Sequence, residues 1–209
     1  MRELLKRILP VSVWRGLQFC ATVIGLRQPC VMLSERDFEM LKRWGRDRRA
    51  LVEIGVFEGG SALALRRAMH PEATLTMIDP FVPDSVSGKR GSPSISRVVA
   101  GRCRRGETRL LCDYSFNVAK QWNAPVDFVF IDGDHSEAAC RQDFVDWEKF
   151  VQPGGVILFH DSRLGQPEEQ PWMGAEGSTR AVNELFRQRQ HPRWKIVDEG
   201  GSIVVVQRV

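Results

Sequence analysis

A glycine-containing turn after a short apolar run is the first feature of the sequence that could do chemistry. The run Leu51-Val-Glu-Ile is followed by Gly55-Val-Phe-Glu-Gly-Gly-Ser, which leads into an apolar, helix-like pattern. A strand, a glycine turn and a helix N-terminus in this order are typical of nucleotide-binding α/β sheets, because glycine lets the backbone come close to a ligand. The sequence therefore predicts a nucleoside-binding turn at Gly55 and Gly59.

Acidic residues in and beside this turn indicate which ligand it binds. A pyrophosphate site has a second glycine two positions after the first, where this sequence has Phe57. Glu53 and Glu58 would repel a phosphate at the helix N-terminus. S-adenosylmethionine has no phosphate and carries a sulfonium and an ammonium group, so we expect this cofactor, with its carboxylate held by backbone amides and Ser61. The alternative is a turn whose glycines only allow close packing.

Asp79 completes this candidate cofactor site. It directly follows the next apolar run along the chain, residues 74–78. An acid at the end of the second strand of a βαβ unit is placed to accept hydrogen bonds from both ribose hydroxyls. The separation of Glu53 and Asp79 suits one such unit, so we expect Asp79 to bind the ribose.

Two further apolar runs end in carboxylates and imidazoles. Asp132 and Asp134 follow one run, and His160 and Asp161 follow the next. Parallel strands lie about 4.8 Å apart, so we expect Asp132 and Asp161 to emerge side by side at the carboxyl edge of the sheet, where α/β sheets bind ligands. Because such carboxylates repel each other unless a cation lies between them, they predict a site for Mg²⁺ or another divalent ion. We expect His160 to be a packed residue rather than a ligand.

The surrounding pattern supplies the elements that must position these residues. Apolar runs alternate with helical segments as far as Asp161, and the chain ends in two strands joined by Glu199-Gly-Gly. We therefore predict an α/β, Rossmann-like fold with a mostly parallel seven-stranded sheet, helices on both faces and a C-terminal antiparallel hairpin. The predicted strands before the hairpin are residues 51–54, 74–78, 108–112, 126–131 and 155–159, and the predicted helices are residues 61–69, 95–104, 115–122, 136–150 and 178–189. On the helix at 136–150, we expect Asp143 to be solvated.

The N-terminal part of the chain differs from this pattern. We divide the chain into a helical extension, residues 1–48, and a cofactor-binding domain, residues 49–209. The extension is basic and apolar, but its longest uncharged run has eleven residues, too few to cross about 30 Å of hydrocarbon. Two hypotheses stay open for it: a cap or oligomer contact, as in a homodimer, and a helix lying on a membrane surface. Ser34 and Asp37 predict a capping box.

The composition fits one α/β domain in a reducing compartment. The chain has 209 residues and a formal charge of +4, and 24 of its 30 basic residues are arginine. This excess alone does not indicate a nucleic-acid partner. The five cysteines form no C-x-x-C pair, so we expect reduced thiols and a cytoplasmic protein, with peripheral membrane contact open.

Two motifs give the chain a resemblance to a known family. The runs Phe130-Ile-Asp-Gly-Asp-His-Ser and Pro153-Gly-Gly-Val-Ile-Leu-Phe-His-Asp resemble the acidic strand ends of class I S-adenosylmethionine-dependent methyltransferases. Over about residues 50–209 the chain looks like the catechol-type, metal-dependent O-methyltransferases and, more closely, the macrocin-O-methyltransferase and cephalosporin-hydroxylase-like group. The resemblance implies methyl transfer to a hydroxyl of a small molecule or glycan, with a divalent metal orienting and activating the acceptor. A cofactor-binding domain with a metal-independent, non-methyltransfer or non-catalytic role is the alternative.

The resemblance also implies roles for individual residues. The cofactor-binding positions are Glu53, Gly55, Gly59, Ser61, Asp79, Asp113, Ser115, Asp132 and Asp134, with Asp113 and Ser115 at the adenine. Asp132 and Asp161 match metal ligands, and Ser162 stands where the catechol-type enzymes carry an asparagine ligand. His135 or Asp134 is expected to take the acceptor's proton. We expect the loop at 163–177 to cover the acceptor pocket.

The same strand end argues against a nucleic-acid acceptor. Methyltransferases that act on an exocyclic amine carry an Asn/Asp-Pro-Pro-aromatic tetrad there, whereas this chain has Ile131-Asp-Gly-Asp. Carboxylates suit the activation of a hydroxyl better than the positioning of an amine. We therefore expect an oxygen acceptor and no nucleic-acid partner.

Overall fold

The architecture is a single sheet between two layers of helices, seen in a computed structural model that describes residues 10–83, 90–165, 174–189 and 191–209. The strands are β1 (Ala50–Ile54), β2 (Thr74–Ile78), β3 (Glu107–Leu111), β4 (Val126–Ile131), β5 (Val151–Phe159), β6 (Trp194–Gly200) and β7 (Ile203–Arg208). Their order in the sheet is β3-β2-β1-β4-β5-β7-β6. The first five are parallel, and β7 is antiparallel to both β5 and β6. The predicted mostly parallel sheet with a C-terminal hairpin is confirmed.

Helices cover both faces of the sheet. They are α1 (Val11–Val23), α2 (Glu35–Gly45), α3 (Gly60–Ala68), α4 (Pro93–Gly101), α5 (Ser115–Gln121), α6 (Glu137–Trp147) and α7 (Glu176–Val182), with a 3₁₀ turn at Glu148–Phe150 and a π-helical turn at Asn183–Arg187. Side chains of α2, α3 and α4 form a core on one face, and those of α5, α6 and α7 form a core on the other. The central strands are therefore buried on both sides, which explains their continuous apolar runs. Within the described ranges, no helix has the length and apolar character needed to cross a bilayer.

The predicted capping box is present at the start of α2. Ser34 Oγ accepts a hydrogen bond from the Asp37 amide at 3.1 Å, and Asp37 Oδ2 accepts one from the Ser34 amide at 2.8 Å. The other oxygen of Asp37, Oδ1, accepts a hydrogen bond from the amide of Ser202 at 2.7 Å. Met40 and Leu41 of the same helix belong to the core. The helix is therefore fastened to the C-terminal hairpin and shares the core of the sheet.

The pairing of β4 with β5 determines which site residues are neighbours. Ile131 is aligned with Phe159, the last residue of β5. The residues that follow, Asp132 and His160, are therefore adjacent at the carboxyl edge, and Asp161 comes one residue later. The sequence predicted Asp132 beside Asp161, so the register corrects this expectation by one position.

Candidate functional site

The predicted glycine turn lies against the end of β4. Gly55 has φ +87°, and a Cβ built on it would collide with the carbonyl oxygen of Asp132. Gly59 has φ +79°, and its Cβ would lie 3.0 Å from the carbonyl oxygen of Ser96 in α4. Glycine is needed at both positions because of these angles and close approaches. The turn predicted to hold the cofactor is thus in backbone contact with the acidic strand end.

Glu53 is a buried carboxyl beneath this turn. No part of it is exposed, its Oε1 accepts a hydrogen bond from Ser61 Oγ, and its Oε2 has no hydrogen-bond partner. Burial raises the pKa of Glu53 to about 8, and the charges of Asp132 and Asp79 add to the rise. The carboxyl is therefore protonated at neutral pH, and Oε2 is an unpaired buried atom that an ammonium group could satisfy. Ser61, expected at the carboxylate of the ligand, is engaged with Glu53.

Asp79 shapes the turn from the end of β2. Its Oδ2 accepts hydrogen bonds from the amides of Val56 and Phe57 at 2.9 and 2.8 Å. Its Oδ1 accepts one from the amide of Phe81 at 2.6 Å. These bonds hold Phe57 at φ 50°, a conformation unusual for a residue with a side chain. The acid predicted to bind ribose therefore also orders the backbone beside it.

Glu58 does not present a free charge to the turn. Its Oε1 forms an ion pair with Arg27 at 2.8 Å, and its Oε2 accepts a hydrogen bond from the Cys30 amide at 2.6 Å. We expected Glu53 and Glu58 to repel phosphate together. The structure corrects that argument, because Glu58 is neutralised by Arg27 and Glu53 by its own proton. The preference for a cationic ligand then depends on Glu53 losing its proton when the ligand binds.

His160 lies at the centre of the acidic cluster. Its Nδ1 is 2.6 Å from Asp132 Oδ1, and its Nε2 is 3.7 Å from both Asp161 Oδ1 and Asp37 Oδ2. The 2.6 Å contact is an ion pair when the imidazole is protonated. Although burial opposes it, the surrounding carboxylates raise the pKa of His160 well above its ordinary value. His160 is buried as predicted, and its imidazolium occupies the place between carboxylates where a cation was expected.

His135 faces the same carboxylates from the more exposed side. Its Nε2 is 3.6 Å from Asp161 Oδ2 and 3.9 Å from Asp132 Oδ1, and 31% of its side chain is exposed. Its Nδ1 is 3.3 Å from Ser178 Oγ. In the tautomer that carries its proton on Nδ1, the ring donates a hydrogen bond to this hydroxyl and the lone pair of Nε2 faces the cluster. His135 is thus placed to take a proton there.

The cluster contains donors for a metal ion. One ligand atom from each of Asp132, His135 and His160 lies within 4.8 Å of the others. Imidazole nitrogens suit divalent transition ions, whereas Mg²⁺ prefers oxygen. Ser162, which stands where a third oxygen ligand was implied, is buried and donates its hydroxyl to the carbonyl of Phe159 at 2.8 Å. The donors therefore fit a transition ion and do not fit an all-oxygen magnesium site.

Ser115, one of the two residues predicted to contact the adenine, is the first residue of the neighbouring helix α5. Ser115 Oγ donates a hydrogen bond to Asp143 Oδ1. Asp143 is buried, and burial raises its pKa to about 6. The expectation of a solvated Asp143 is wrong, because Cys140, Phe144 and Trp147 place the core face of α6 beside it. That spacing was the signal in the sequence that could have revealed a buried acid.

Two predicted site residues remain exposed. Asp113 accepts hydrogen bonds from the Asn117 side chain at 2.9 Å and the Tyr114 amide at 2.7 Å, and these bonds lower its pKa. Asp134 is exposed and accepts a hydrogen bond from the Ser136 amide at 2.8 Å, which orders the turn into α6. Both are accessible to a ligand from solvent. The loop predicted to cover the acceptor pocket lies partly outside the described residues.

Comparisons with known proteins identify relatives of this chain. Residues 52–162 match the family model described as methyltransferase domain. A protein of Mycobacterium sp. (strain JLS), named as an O-methyltransferase, is 32% identical over 125 residues, which is 57% of this chain and 51% of the relative. The O-methyltransferase TomG from Streptomyces achromogenes, involved in tomaymycin synthesis and solved with SAM, superposes with a TM-score of 0.60 and 20% identity over 92% of this chain and 88% of TomG. An O-methyltransferase from Bacillus cereus, solved with SAH, superposes with a TM-score of 0.58 and 19% identity over 99% of this chain and 96% of the B. cereus protein.

The coverage and the sequence identity of these matches determine what they establish. The chain spans about half the length of the first curated relative, 51%. At 19 and 20% identity, the solved structures establish the fold. The family match extends from residue 52 to residue 162 and includes the glycine turn and both acidic strand ends. The chain therefore belongs to the methyltransferase domain family.

Proposed function

We propose that this chain is an S-adenosylmethionine-dependent O-methyltransferase that acts on a hydroxyl of a small molecule or glycan. The observation that carries the proposal is the contact between the glycine turn and the end of β4, where Gly55 has no room for a side chain beside Asp132. Methyl transfer requires the donor methyl about 3 to 3.5 Å from the attacking oxygen and in line with it. A cofactor on this turn would have its methyl next to the cluster of Asp132, His135 and His160.

The cofactor end of the site has a suitable partner for the amino acid part of S-adenosylmethionine. Glu53 Oε2 is buried and unpaired, so it would accept a hydrogen bond from the ammonium group. Asp79 already accepts two amide hydrogen bonds on Oδ2, and we propose that it also contacts the ribose. Relatives named as O-methyltransferases, and neighbours solved with SAM and SAH, support the choice of cofactor.

His135 is the residue we assign to proton removal. Its Nε2 faces Asp132 and Asp161, so an acceptor hydroxyl entering from solvent would meet this nitrogen beside the carboxylates. As the hydroxyl oxygen bonds to the methyl carbon, the C–S bond breaks and its electron pair stays on sulfur, which gives the demethylated cofactor. The hydroxyl proton goes to His135, and the carboxylates stabilise the imidazolium that forms.

We also propose that Asp132, Asp161 and His160 hold a divalent transition ion. When bound, such an ion lowers the pKa of an acceptor hydroxyl and orients it. His160 would be the nitrogen ligand, but Asp132 lies beside its Nδ1 and Asp161 beside its Nε2, so the Asp161 side chain would have to turn to share an ion with Asp132. His135, the third member of the donor set, is more exposed and would remain free to act as base. His160 must lose its proton before it can bind metal, so the ion and the proton compete for this nitrogen.

The cofactor and acceptor are tested together. Calorimetry should show binding of S-adenosylmethionine and of S-adenosylhomocysteine, and a panel of catechols and sugars should yield S-adenosylhomocysteine with at least one hydroxyl acceptor. His135→Gln should lower kcat by about 100-fold to 10,000-fold and leave cofactor affinity unchanged. A folded protein that binds no S-adenosylmethionine contradicts the proposal. Binding without turnover across the panel favours a non-catalytic cofactor domain.

The metal is tested separately. Protein treated with EDTA should lose activity and regain it with Mn²⁺ more than with Mg²⁺, because of the nitrogen ligand. Asp161→Asn should weaken Mn²⁺ binding, measured by calorimetry, while sparing cofactor affinity. Full activity after chelation would remove the ion from the proposal and leave the imidazolium of His160 as the positive charge at the acceptor.

A further inference from the structure

Three helices on one face of the sheet contain basic residues and no acidic ones, whereas α2 on the same face also contains Glu35, Asp37 and Glu39. α1, α3 and α4 contain no aspartate or glutamate in their sequences. Their exposed cations are Arg15, Arg67 and Arg97. The mechanism proposed above uses none of these residues.

A basic pocket opens on the same face, between the ends of α2 and α3 and the loop before β3. It has a volume of about 320 Å³. The residues that line it are Lys42, Arg46, Asp47, Arg67, Ala68 and Arg105. Across the ranges that the structure describes, no carboxylate lies within ion-pair distance of any of its four cations. With four cations and one carboxylate, Asp47, in its lining, the pocket carries an excess of positive charge that an anionic partner could neutralise.

The same face also exposes aliphatic side chains. On α1 and the segment after it, the exposed aliphatic residues are Val13 (46%), Leu17 (50%), Val23 (52%), Ile24 (67%) and Leu26 (82%). The other side of α1 is packed, because Phe19 contacts a small core of Leu63, Ile95 and Val99, against which Cys103 also packs. Arg105, two residues after Cys103, lines the basic pocket. Because α1 packs against α4, and the loop after α4 leads to Arg105, the aliphatic surface and the pocket lie on the same side of the sheet.

We propose that this face, formed by α1, α3, α4 and the basic pocket, docks on a bilayer that contains anionic phospholipids. Clustered cations attract phosphate headgroups, and aliphatic side chains of an interfacial helix enter the boundary between headgroups and acyl chains. A second copy of the chain is disfavoured on this face, because symmetric pairing would bring like charges together. A nucleic acid would be bound by cations and stacking aromatic rings, whereas the exposed side chains here are aliphatic.

Vesicle sedimentation tests the docking and is independent of methyl transfer. The protein should sediment with vesicles of phosphatidylcholine and phosphatidylglycerol at least about tenfold more strongly than with phosphatidylcholine alone, and high salt should weaken this binding. Free glycerol phosphate at the same phosphate concentration should not compete, because it lacks the acyl boundary. Equal sedimentation with both kinds of vesicle, or with neither, would overturn the proposal.

Matched variants locate the surface. The double variant Lys42→Glu/Arg67→Glu should lower vesicle binding by about tenfold or more. The control Lys149→Glu/Lys195→Glu makes the same change in net charge at exposed positions outside this face and should change binding by less than about twofold. Equal losses in the two variants would show that only net charge matters and would overturn the assignment of this face.

The aliphatic contribution has its own control. Ile24→Ser/Leu26→Ser should weaken binding to the anionic vesicles, whereas Val145→Ser/Val197→Ser, at residues that are 52% and 40% exposed elsewhere, should not. Circular dichroism and thermal melts should show all four double variants folded. An RNA oligonucleotide that binds the protein while anionic vesicles do not would overturn the bilayer and identify a nucleic-acid surface.

Discussion

At the scale of single residues, Glu53 shows how burial can prepare a binding group. Its pKa is raised to about 8 by burial, and its Oε2 is unpaired. An unpaired buried oxygen costs free energy until a partner arrives. An ammonium group would supply a hydrogen bond and a charge at once, and it would favour the deprotonated form of the carboxyl. Binding of the cofactor should therefore be coupled to loss of a proton.

The first prediction is a pH-dependent affinity for S-adenosylmethionine. Affinity should rise between about pH 6 and about pH 7.5, as Glu53 loses its proton more easily. The α-amino group of the cofactor stays largely protonated in this range. Because Glu53 is protonated in the free protein, calorimetry in buffers of different ionisation enthalpy should show release of nearly one proton near the lower pH. In Glu53→Gln the proton release should vanish. Identical release in this variant would contradict the role of Glu53.

The same pKa determines the sign of a stability effect. A carboxyl whose pKa rises from 4.5 to about 8 on folding contributes stability below pH 4.5 that is lost as the pH rises through 8. Compared with Glu53→Gln, the wild type should lose up to about 1.4 kcal/mol of unfolding free energy for each pH unit in this window. Urea denaturation at several pH values measures the difference between the two proteins, which should stay constant if Glu53 ionises normally.

The second prediction concerns Gly55. Gly55→Ala combines an unfavourable φ of +87° with a collision against the backbone of Asp132. Gly154 also has a positive φ, +77°, but nothing lies within 4 Å of its Cβ position. Gly154→Ala should thus cost about 1 to 2 kcal/mol from strain alone, and Gly55→Ala should cost clearly more and weaken cofactor binding. Equal losses in urea denaturation would mean that the collision is relieved without cost.

At the scale of elements, the segment between α1 and α2 is fastened across the glycine turn. Glu58 in the turn binds Arg27 and the amide of Cys30. A Cβ on Gly60 would collide with the side chain of Val31. The segment and the start of α3 therefore fit closely, and the buried ion pair is the polar part of that fit.

The third prediction tests this attachment. Arg27→Met leaves Glu58 buried without its cation and should lower the unfolding free energy by about 3 kcal/mol. Arg36→Met breaks an ion pair with Glu39 in which both side chains are 63% exposed, so its effect should stay below about 1 kcal/mol. Chemical denaturation compares the two variants. Similar small effects would show that water replaces Arg27 at Glu58.

The elements themselves could be predicted from the sequence to within a few residues, because the central strands are buried on both faces and the glycine turn is locally encoded. The register of β4 against β5 at the candidate site could not be predicted from the sequence. The register of β4 against β5 is irregular, because Val126 is aligned with Val151 but Phe128 with Val156. A difference of one residue in this register decides whether His160 or Asp161 lies beside Asp132. No local pattern encodes such a shift. The ion pair between Arg27 and Glu58 could not be predicted from the sequence either, because it joins residues 31 positions apart.

At the scale of the whole molecule, one buried carboxylate joins three distant parts of the chain. Asp37 caps α2, accepts hydrogen bonds from Ser202 at the hairpin, and lies 3.7 Å from Nε2 of His160 in the acidic cluster. Ser202 is 165 residues away along the chain. The helix before the sheet is therefore connected to the last strand and to the candidate site by the same side chain.

The fourth prediction follows from this connection. Asp37→Ala removes a helix cap, leaves the amide of Ser202 without its buried acceptor and takes away one of the carboxylates near His160, so it should lower the unfolding free energy by about 3 kcal/mol. Glu39→Ala, in the same helix but exposed, should change it by less than about 0.5 kcal/mol. A truncated chain of residues 49–209 loses Asp37 together with Met40 and Leu41 of the core, and should not unfold cooperatively in a thermal melt. If that fragment melted like the full chain and still bound S-adenosylmethionine, α2 would be an accessory helix, and the link from Asp37 to the site would have no role in folding.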